Sequence, residues 1–194
     1  MKKTGTINLK TARLILRNLR PKDVSRDYAD WLNDPEINKY LGCADTVQTI
    51  ETCREYVRAH QKCGNAALVG IFLKKGGMHI GNLTLSAVDP RNKTASIGIS
   101  IGRKEYAGKG LAREALDAVV RYCFNRLGLH RLWAGVHVSN SRSLNLFIKC
   151  GFKKEGLLRE AVVIDGKFED GYIFSILEKD LVKKRLLPGK ERCF

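Results

Sequence analysis

ASIGISIGRKEYAGKGLAR, residues Ala95–Arg113, is the stretch that decides how this chain folds. Its first part alternates: Ala95, Ile97, Ile99 and Ile101 fall on one face of a strand, and Ser96, Gly98, Ser100 and Gly102 on the other. Glycine inside a strand weakens it and marks a bulge or the close approach of another backbone. A wholly small face therefore reads either as tight packing against a helix or as a bed for an extended, amide-bearing ligand. The glycine-rich loop that follows opens into an amphipathic helix. Unpaired backbone N–H groups and the positive end of a helix dipole are then presented to an anion.

Downstream, Leu111, Ala115, Leu116, Val119, Cys123 and Leu127 recur at helical spacing, which predicts a helix over Gly110–Leu127 stopped by Gly128. Leu132–Val138 alternates as a strand. A helix between two strands is a crossover unit, so these strands are expected to run parallel. Upstream, Leu14–Leu19 reads as a first strand, and Pro21 and Asp23 open a helix through Tyr28 and Trp31 that stops near Asn33-Asp34-Pro35. A second helix is expected from about Val47 to His60, capped by Thr46 or Asp45. Strands Ala66–Leu73 and Ile80–Val88, joined by the turn Lys74-Lys75-Gly76-Gly77, precede the turn Asp89-Pro90-Arg91-Asn92 and make an antiparallel meander. The fold class is α/β (α+β), with a mixed, mostly antiparallel central sheet, flanking helices and a parallel junction at the glycine loop.

With 194 residues, 44% hydrophobic and 28% charged, the chain is expected to form a single domain over 1–194 with a basic tail at about 179–194. The start, MKKTGTINLK, lacks the apolar segment of a signal peptide, and no apolar run has the length of a membrane span. A cytoplasmic location without membrane partners is the expectation. The six cysteines form no CxxC pair and no zinc-ligand spacing, so no metal is expected and the thiols read as reduced. A formal net charge of +15 favours an acidic partner: a phosphorylated cofactor, an acidic substrate or nucleic acid.

Two phosphate motifs fail on particular residues. A P-loop needs Ser or Thr after GxxxxGK, but Gly110 follows Lys109, and the spacing from Gly102 to Gly108 is wrong. A dinucleotide fingerprint needs a third glycine where Arg113 stands. The loop Glu105-Tyr106-Ala107-Gly108-Lys109-Gly110-Leu111-Ala112 instead resembles the acetyl-coenzyme A loop of the GNAT superfamily of N-acetyltransferases, Arg/Gln-x-x-Gly-x-Gly/Ala at a helix start. Gly108 and Gly110 match; Glu105 stands where the family usually has Arg or Gln, with Arg103 and Lys109 as nearby cations. Asn140-Ser141-Arg142-Ser143 through Phe147-Ile148-Lys149-Cys150-Gly151-Phe152 resembles the superfamily's Asn-x-x-Ser helix and Gly-Phe turn, in the expected order. Thr11-Ala12-Arg13-Leu14, Trp31-Leu32-Asn33-Asp34-Pro35 and the hairpin Arg159–Leu177, with its Asp165-Gly166 turn, are similar to the branch containing the ribosomal-protein alanine N-acetyltransferases.

The resemblance implies a GNAT-like sheet and acetyl-CoA as cosubstrate. It implies that the amides of Ala107, Gly108, Lys109, Gly110, Leu111 and Ala112 meet the pyrophosphate. Backbone groups of Ile99, Ser100 and Ile101 would bond the pantetheine arm and polarise the thioester carbonyl. Asn140 would bond the pantetheine or acetyl region, although Asn at this place is equally a helix N-cap. Ser143 faces the cofactor sulfur on this reading, or simply occupies a first helical turn. Many relatives, including spermidine-acetylating enzymes, place at the position of Phe147 a tyrosine that protonates the leaving thiolate; phenylalanine has no proton to give. Glu160 on the first hairpin strand, and Glu169 or Asp170 on the second, are candidate bases or rim charges for a cationic substrate. His137 is a further candidate, although lone strand histidines are usually structural.

The expected activity is transfer of acetyl from acetyl-CoA to a primary amine by direct attack in a ternary complex. Neutralising an α-amine at pH 7 costs roughly 1–1.4 kcal/mol, against about 4.6 for a lysine-type amine, so a protein N-terminus or a low-pKa amino sugar is the easier acceptor. Nucleic acid is expected only through a ribosome-associated target, and the assembly is expected to be a monomer or homodimer. Two other classes compete. One is a coenzyme A sensor without catalysis, which Glu105 and Phe147 keep open. The other is a basic nucleic-acid-binding domain, which lacks any aromatic-basic RNA motif or DNA-reading helix.

Overall fold

One sheet carries the chain from end to end in a computed structural model that describes residues 6–43 and 45–181. Its eight strands are β1 (Asn8–Lys10), β2 (Leu14–Asn18), β3 (Ala67–Leu73), β4 (His79–Asp89), β5 (Thr94–Ile101), β6 (Arg131–His137), β7 (Lys153–Ile164) and β8 (Lys167–Leu177). They lie in the order β1-β2-β3-β4-β5-β6-β8-β7. Every neighbouring pair is antiparallel except β5 and β6, so the expected parallel junction is present. The helices are α1 (Arg26–Asn33), α2 (Pro35–Asn38), α3 (Ile50–Lys62), α4 (Leu111–Asn125) and α5 (Ser141–Lys149). The basic tail expected at about 179–194 lies, from residue 182 onward, outside the described residues.

Each sheet face has its own apolar cover. Helix α4 buries Leu111, Ala115, Leu116, Val119 and Cys123 in one core with Val69, Leu83, Ala95, Ile97, Leu132 and Ala134 from the strands. Burial pushes the Cys123 thiol up to about 12, which makes it an inert core group. On the other face, Leu19, Val24, Tyr28, Trp31 and Val57 close over Leu68 and Phe72. The alternation that divides these sets is the period-two pattern of the strands.

Local chemistry moves several boundaries away from the sequence expectation. The helix expected from Pro21 through Trp31 is two pieces, a 3-10 turn at Pro21–Asp23 and then α1. The Asp23 carboxylate accepts from the Arg17 and Arg20 guanidinium groups and the Arg20 N–H, which holds the turn; the Ser25 hydroxyl then caps α1 by accepting from Tyr28 N–H. The second helix begins at Ile50 rather than about Val47. Thr49, not Thr46 or Asp45, is its cap, exchanging hydrogen bonds with Thr52 in a capping box. The short β1 is absent from the sequence reading, since Asn8-Leu9-Lys10 has too few residues to show a period. The hairpin expected from Arg159 starts earlier, at Lys153, and turns at Asp165 and Gly166, both with positive φ (50° and 74°) as a two-residue turn requires.

The small face of β5 proves to be two surfaces. A Cβ placed on Gly102 would lie 1.7 Å from Trp31 Cε3, so there the reason is tight packing. A Cβ on Gly98 would meet nothing within 4 Å, so there the face is open. At the far edge, Glu155 pins three strands: it accepts from the Arg131 guanidinium at 2.8 and 2.5 Å and from the Ser175 hydroxyl at 2.5 Å. The Arg131 and Ser175 hydrogen bonds hold its carboxyl at about 2, below the ordinary 4.5.

Two predictions follow from these contacts. Gly102→Ala is expected to lower the unfolding free energy measured by urea titration by about 1–3 kcal/mol through overpacking, while Gly98→Ala leaves it unchanged or raised. Equal loss in both variants would contradict the division of the face. Because the folded-state pKa of Glu155 is depressed, its contribution is present above pH 4.5 and lost as pH falls towards 2. Urea midpoints measured from pH 7 to pH 2 should therefore fall less steeply in Glu155→Gln than in the parent chain, from a lower starting value at pH 7.

Candidate active site

The pairing between β5 and β6 is brief. It covers Thr94–Ser96 against Arg131–Trp133 and then stops, while β5 remains bonded to β4 as far as Ile101 and β6 to β8 as far as His137. Each strand is thus held on its outer edge and released on its inner one. The result is a wedge whose walls are Ile97–Ile101 and Ala134–His137, with unpaired backbone donors and acceptors facing into it. Such groups require partners. An extended ligand carrying amides supplies them in strand fashion, as a peptide does when it adds to a sheet edge. Ile99, Ser100 and Ile101, expected to contact a cofactor arm through their backbone, stand on this wall half-buried, beside the open surface at Gly98.

At the end of the wedge the chain enters the glycine loop. Gly108 and Gly110 have φ of 74° and 75°, a left-handed conformation that a side chain would strain. Gly110 is the N-cap of α4 and offers no side-chain cap, so the amides of Gly108, Lys109, Gly110, Leu111 and Ala112 have no hydrogen-bond partner among the described residues. The expectation for Ala107 is corrected: its N–H donates to Lys104 O at 3.0 Å in a 3-10 turn and is not available to an anion. Arg103 is likewise engaged, with Asp27, with Glu105 at 3.4 Å, and with the His79 carbonyl at 3.2 Å. Glu105 thereby faces a cation of its own chain. Lys109 makes no ion pair among the described residues and lies 5.3 Å over the Tyr106 ring.

Arg13 latches this loop. Its guanidinium donates to the Glu114 carboxylate at 2.7 Å and to Lys109 O at 3.0 Å, and its own N–H donates to Glu114 at 2.8 Å. The Thr11 hydroxyl adds a hydrogen bond to Glu114 at 2.6 Å. Burial opposes ionisation of Glu114, yet these donors hold its carboxyl below the ordinary value. Thr11 and Arg13 thus act across about a hundred residues of sequence on the first turn of α4. Beside the latch, a cavity of about 510 Å³ is lined by Arg13, Lys74, Lys75, Tyr106 and Lys109, so the loop lies in a positive field.

The remaining candidates divide into two groups. Asn140 caps α5, its Oδ1 accepting from Ser143 N–H at 3.0 Å, so the cap role is occupied and only the amide nitrogen is left for a ligand. Ser143 is half-buried in the first turn of α5, with no hydroxyl partner among the described residues. Phe147 is buried in the core, edge-on to Phe152 at 5.0 Å and stacked with Phe174 at 6.5 Å. On the hairpin, Glu160 is exposed with φ of 51° at a bulge, and its N–H donates to Asp170 Oδ1 at 2.8 Å. Asp170 therefore holds the bulge through the Glu160 backbone, while the Glu160 side chain is exposed.

A cluster that sequence reasoning left dispersed gathers at the end of β6. Glu169 accepts from Ser139 Oγ at 3.0 Å and lies 4.0 Å from His137 Nδ1, while the Tyr40 ring packs 5.3 Å from the His137 ring. Tyr40 carries no motif in the sequence, and only the fold brings it here. A second aromatic group surrounds His79: Phe72 stacks on it at 4.7 Å, and Trp31 and Tyr28 approach at 5.0 and 5.4 Å. Burial holds His79 neutral by lowering its pKa, and Nε2 bonds Gly81 O and Asn82 Oδ1. Among the described residues, no set of His, Cys, Asp or Glu converges as a metal centre.

This geometry matches known proteins. The family described as Acetyltransferase (GNAT) domain matches residues 13–153. An uncharacterised N-acetyltransferase p20 of Bacillus licheniformis is 32% identical over 89% of this chain and 97% of its own length. The [Ribosomal protein uS5]-alanine N-acetyltransferase of Escherichia coli is 30% identical over 90% of this chain and 92% of its own. Among solved structures, spermidine N-acetyltransferase from Vibrio cholerae in complex with CoA and spermine superposes with a TM-score of 0.80 at 26% identity, covering 89% of this chain and 99% of that one. The chain belongs to the GNAT family as an acetyl-CoA-dependent acetyltransferase.

Proposed function

We propose that the protein acetylates a primary amine of low basicity, an α-amine at a protein N-terminus or an amino sugar, by direct attack in a ternary complex. The observation that carries this reading is the release of β5 from β6 after Ser96 and Trp133, next to an uncapped helix start at Gly110. Backbone groups of Ile99–Ile101 would orient the acyl arm, and the amides of Gly108–Ala112 would hold its phosphates. Helix-terminus contacts of this kind are worth about 0.3–1 kcal/mol each, and up to about 2 when partly buried. Bound there, acetyl-CoA supplies a thioester carbonyl as electrophile. A donor hydrogen bond at that carbonyl oxygen stabilises the charge that develops during attack.

A primary-amine acceptor is supported by both the E. coli relative, named for a ribosomal-protein alanine, and the Vibrio structure, named for spermidine; the low-basicity class is supported by the first alone. Phe147 lies in the core without an ionisable group, which argues against a tyrosine acid of the kind used by spermidine-acetylating relatives. The Ser143 hydroxyl, at the start of α5, is the proposed donor to the departing thiolate. Asp170, whose carboxylate accepts from the Glu160 backbone N–H, and the exposed Glu160 side chain fit a rim that receives a cationic substrate.

Calorimetry with acetyl-CoA is expected to give a saturable site in the parent chain. Gly110→Asp should weaken it at least about tenfold, roughly 1.4 kcal/mol, by placing a charge and a Cβ where the backbone must meet phosphate. Equal affinity in both proteins, or no binding by either while both remain folded by circular dichroism, would sink the assignment. A panel of amine acceptors, with free coenzyme A release as readout, should show α-amines at pH 7 consumed faster than lysine-type amines. Cofactor binding with no turnover on any amine would favour a coenzyme A sensor instead.

A further inference from the structure

His137 stands on β6 beyond the point where β5 has left it, paired to Gly171 of β8 on its outer edge. Counting by twos from the Ser96–Trp133 pair puts its side chain on the sheet face that carries Gly98 and Ser100. The two ring nitrogens have different surroundings. Nδ1 is shut off from solvent and has no hydrogen-bond partner, with Glu169 Oε1 at 4.0 Å. Nε2 is not among the closed-off atoms, and no residue described here hydrogen-bonds to it.

The groups around the ring come from three elements. Tyr40, following α2, packs against it, and Lys39, beside Tyr40, pairs with Asp165 of the hairpin turn at 2.8 Å. From the loop after β6, Ser139 gives Glu169 Oε1 its hydroxyl at 3.0 Å and its N–H at 3.3 Å, and its Oγ lies 3.2 Å from the Tyr40 hydroxyl. From β8 come Glu169 itself and Asp170, whose carboxylate is occupied by Glu160 N–H. Glu169 Oε1 is thus held by Ser139 and lies 4.0 Å from Nδ1, beyond a hydrogen bond but near enough for its charge to act on the imidazole. The negative charge of that carboxylate favours the tautomer with its proton on the nearer Nδ1, which leaves the lone pair on Nε2. A third group that orients a base is a recurring arrangement at sites where a nucleophile is activated.

We infer that His137 is the general base of the acetyl transfer, receiving the acceptor amine's proton at Nε2, with Glu169 as the residue that positions it. This rests on the reading of the wedge as the acetyl-CoA site. The acceptor's ammonium gives one proton to Nε2. The freed amine then forms the N–C bond to the acetyl carbonyl carbon as the C–S bond breaks. Of the two protons the nitrogen loses, one ends on the coenzyme A sulfur and the other leaves through His137 to solvent. Glu160 and Asp170 need not act as bases on this route.

The test has an arm that needs no acceptor. The chain has four histidines, so long-range proton–nitrogen spectra of histidine-labelled protein, assigned with His137→Gln, read the tautomer directly. The expected result is an Nδ1–H form of His137 that shifts towards Nε2–H in Glu169→Gln. An Nε2–H form in the parent chain, unmoved by Glu169→Gln, would overturn the inference. In the second arm, a short peptide with N-terminal alanine is acetylated at pH 7 and at pH 9. His137→Gln should lose about tenfold in kcat at pH 7, recover most of it at pH 9 where the α-amine is already neutral, and keep its calorimetric affinity for acetyl-CoA within twofold. An undiminished kcat at pH 7 would overturn it as well. Failure of the parent chain to bind acetyl-CoA would instead sink the cofactor assignment, and calorimetry reports that separately.

Discussion

The organising constraint of this molecule is a strand pair that starts and does not finish. β5 and β6 share three residue pairs and then separate, although each continues as a bonded strand on its other side. A sheet edge exposed in this way leaves backbone groups that must find partners. The molecule does not cover them with its own side chains: Gly98 opens on empty space, and Ser96 and Ser100 are small. The gap can persist because α4 and its core lock the other face, with Ala95, Ile97, Leu132 and Ala134 buried beneath it. Burial of such side chains is worth about 25 cal/mol per Å² of apolar surface, so the sheet is held firmly on one side while it is parted on the other.

The loop that continues from β5 uses the same economy of side chains. Its anion-binding capacity lies in amides, and its shape is set by left-handed glycines and by Arg13 and Glu114 gripping it from outside. This explains how Glu105 can replace the family's Arg or Gln. The side chain at that place pairs with Arg103, while the donors that would face phosphate belong to the backbone. On the proposed reading, strand wedge and loop are consecutive parts of a single cradle, one for an amide-bearing arm and one for charge.

Much of this was legible from residues 95–113 and 140–152. Periodicity marked β5, α4 and β6, and the crossover rule gave the parallel junction, because these depend on local pattern. Helix α5, Ser141–Lys149, was legible through the resemblance of Asn140–Phe152 to the superfamily's Asn-x-x-Ser helix, with Asn140 at its cap. What escaped the sequence were boundaries and partnerships set by side chains far apart. Thr49 rather than Thr46 caps α3, because Thr52 stands where a reciprocal bond forms. The Ala107 amide is consumed by a 3-10 turn that no glycine pattern announces. Tyr40 and Glu169 meet near His137 only after the hairpin folds back, and the Asp170 carboxylate is taken up by the Glu160 backbone N–H.

Hydrogen–deuterium exchange with and without acetyl-CoA is the most direct measure of the cradle as a whole. The account predicts slowed exchange in two places at once, the free edge of β5 over Ile97–Ile101 and the loop amides over Gly108–Ala112, with the outer edge of β6 unchanged. Protection confined to the Lys74–Gly77 turn, or to the loop without the strand, would contradict it.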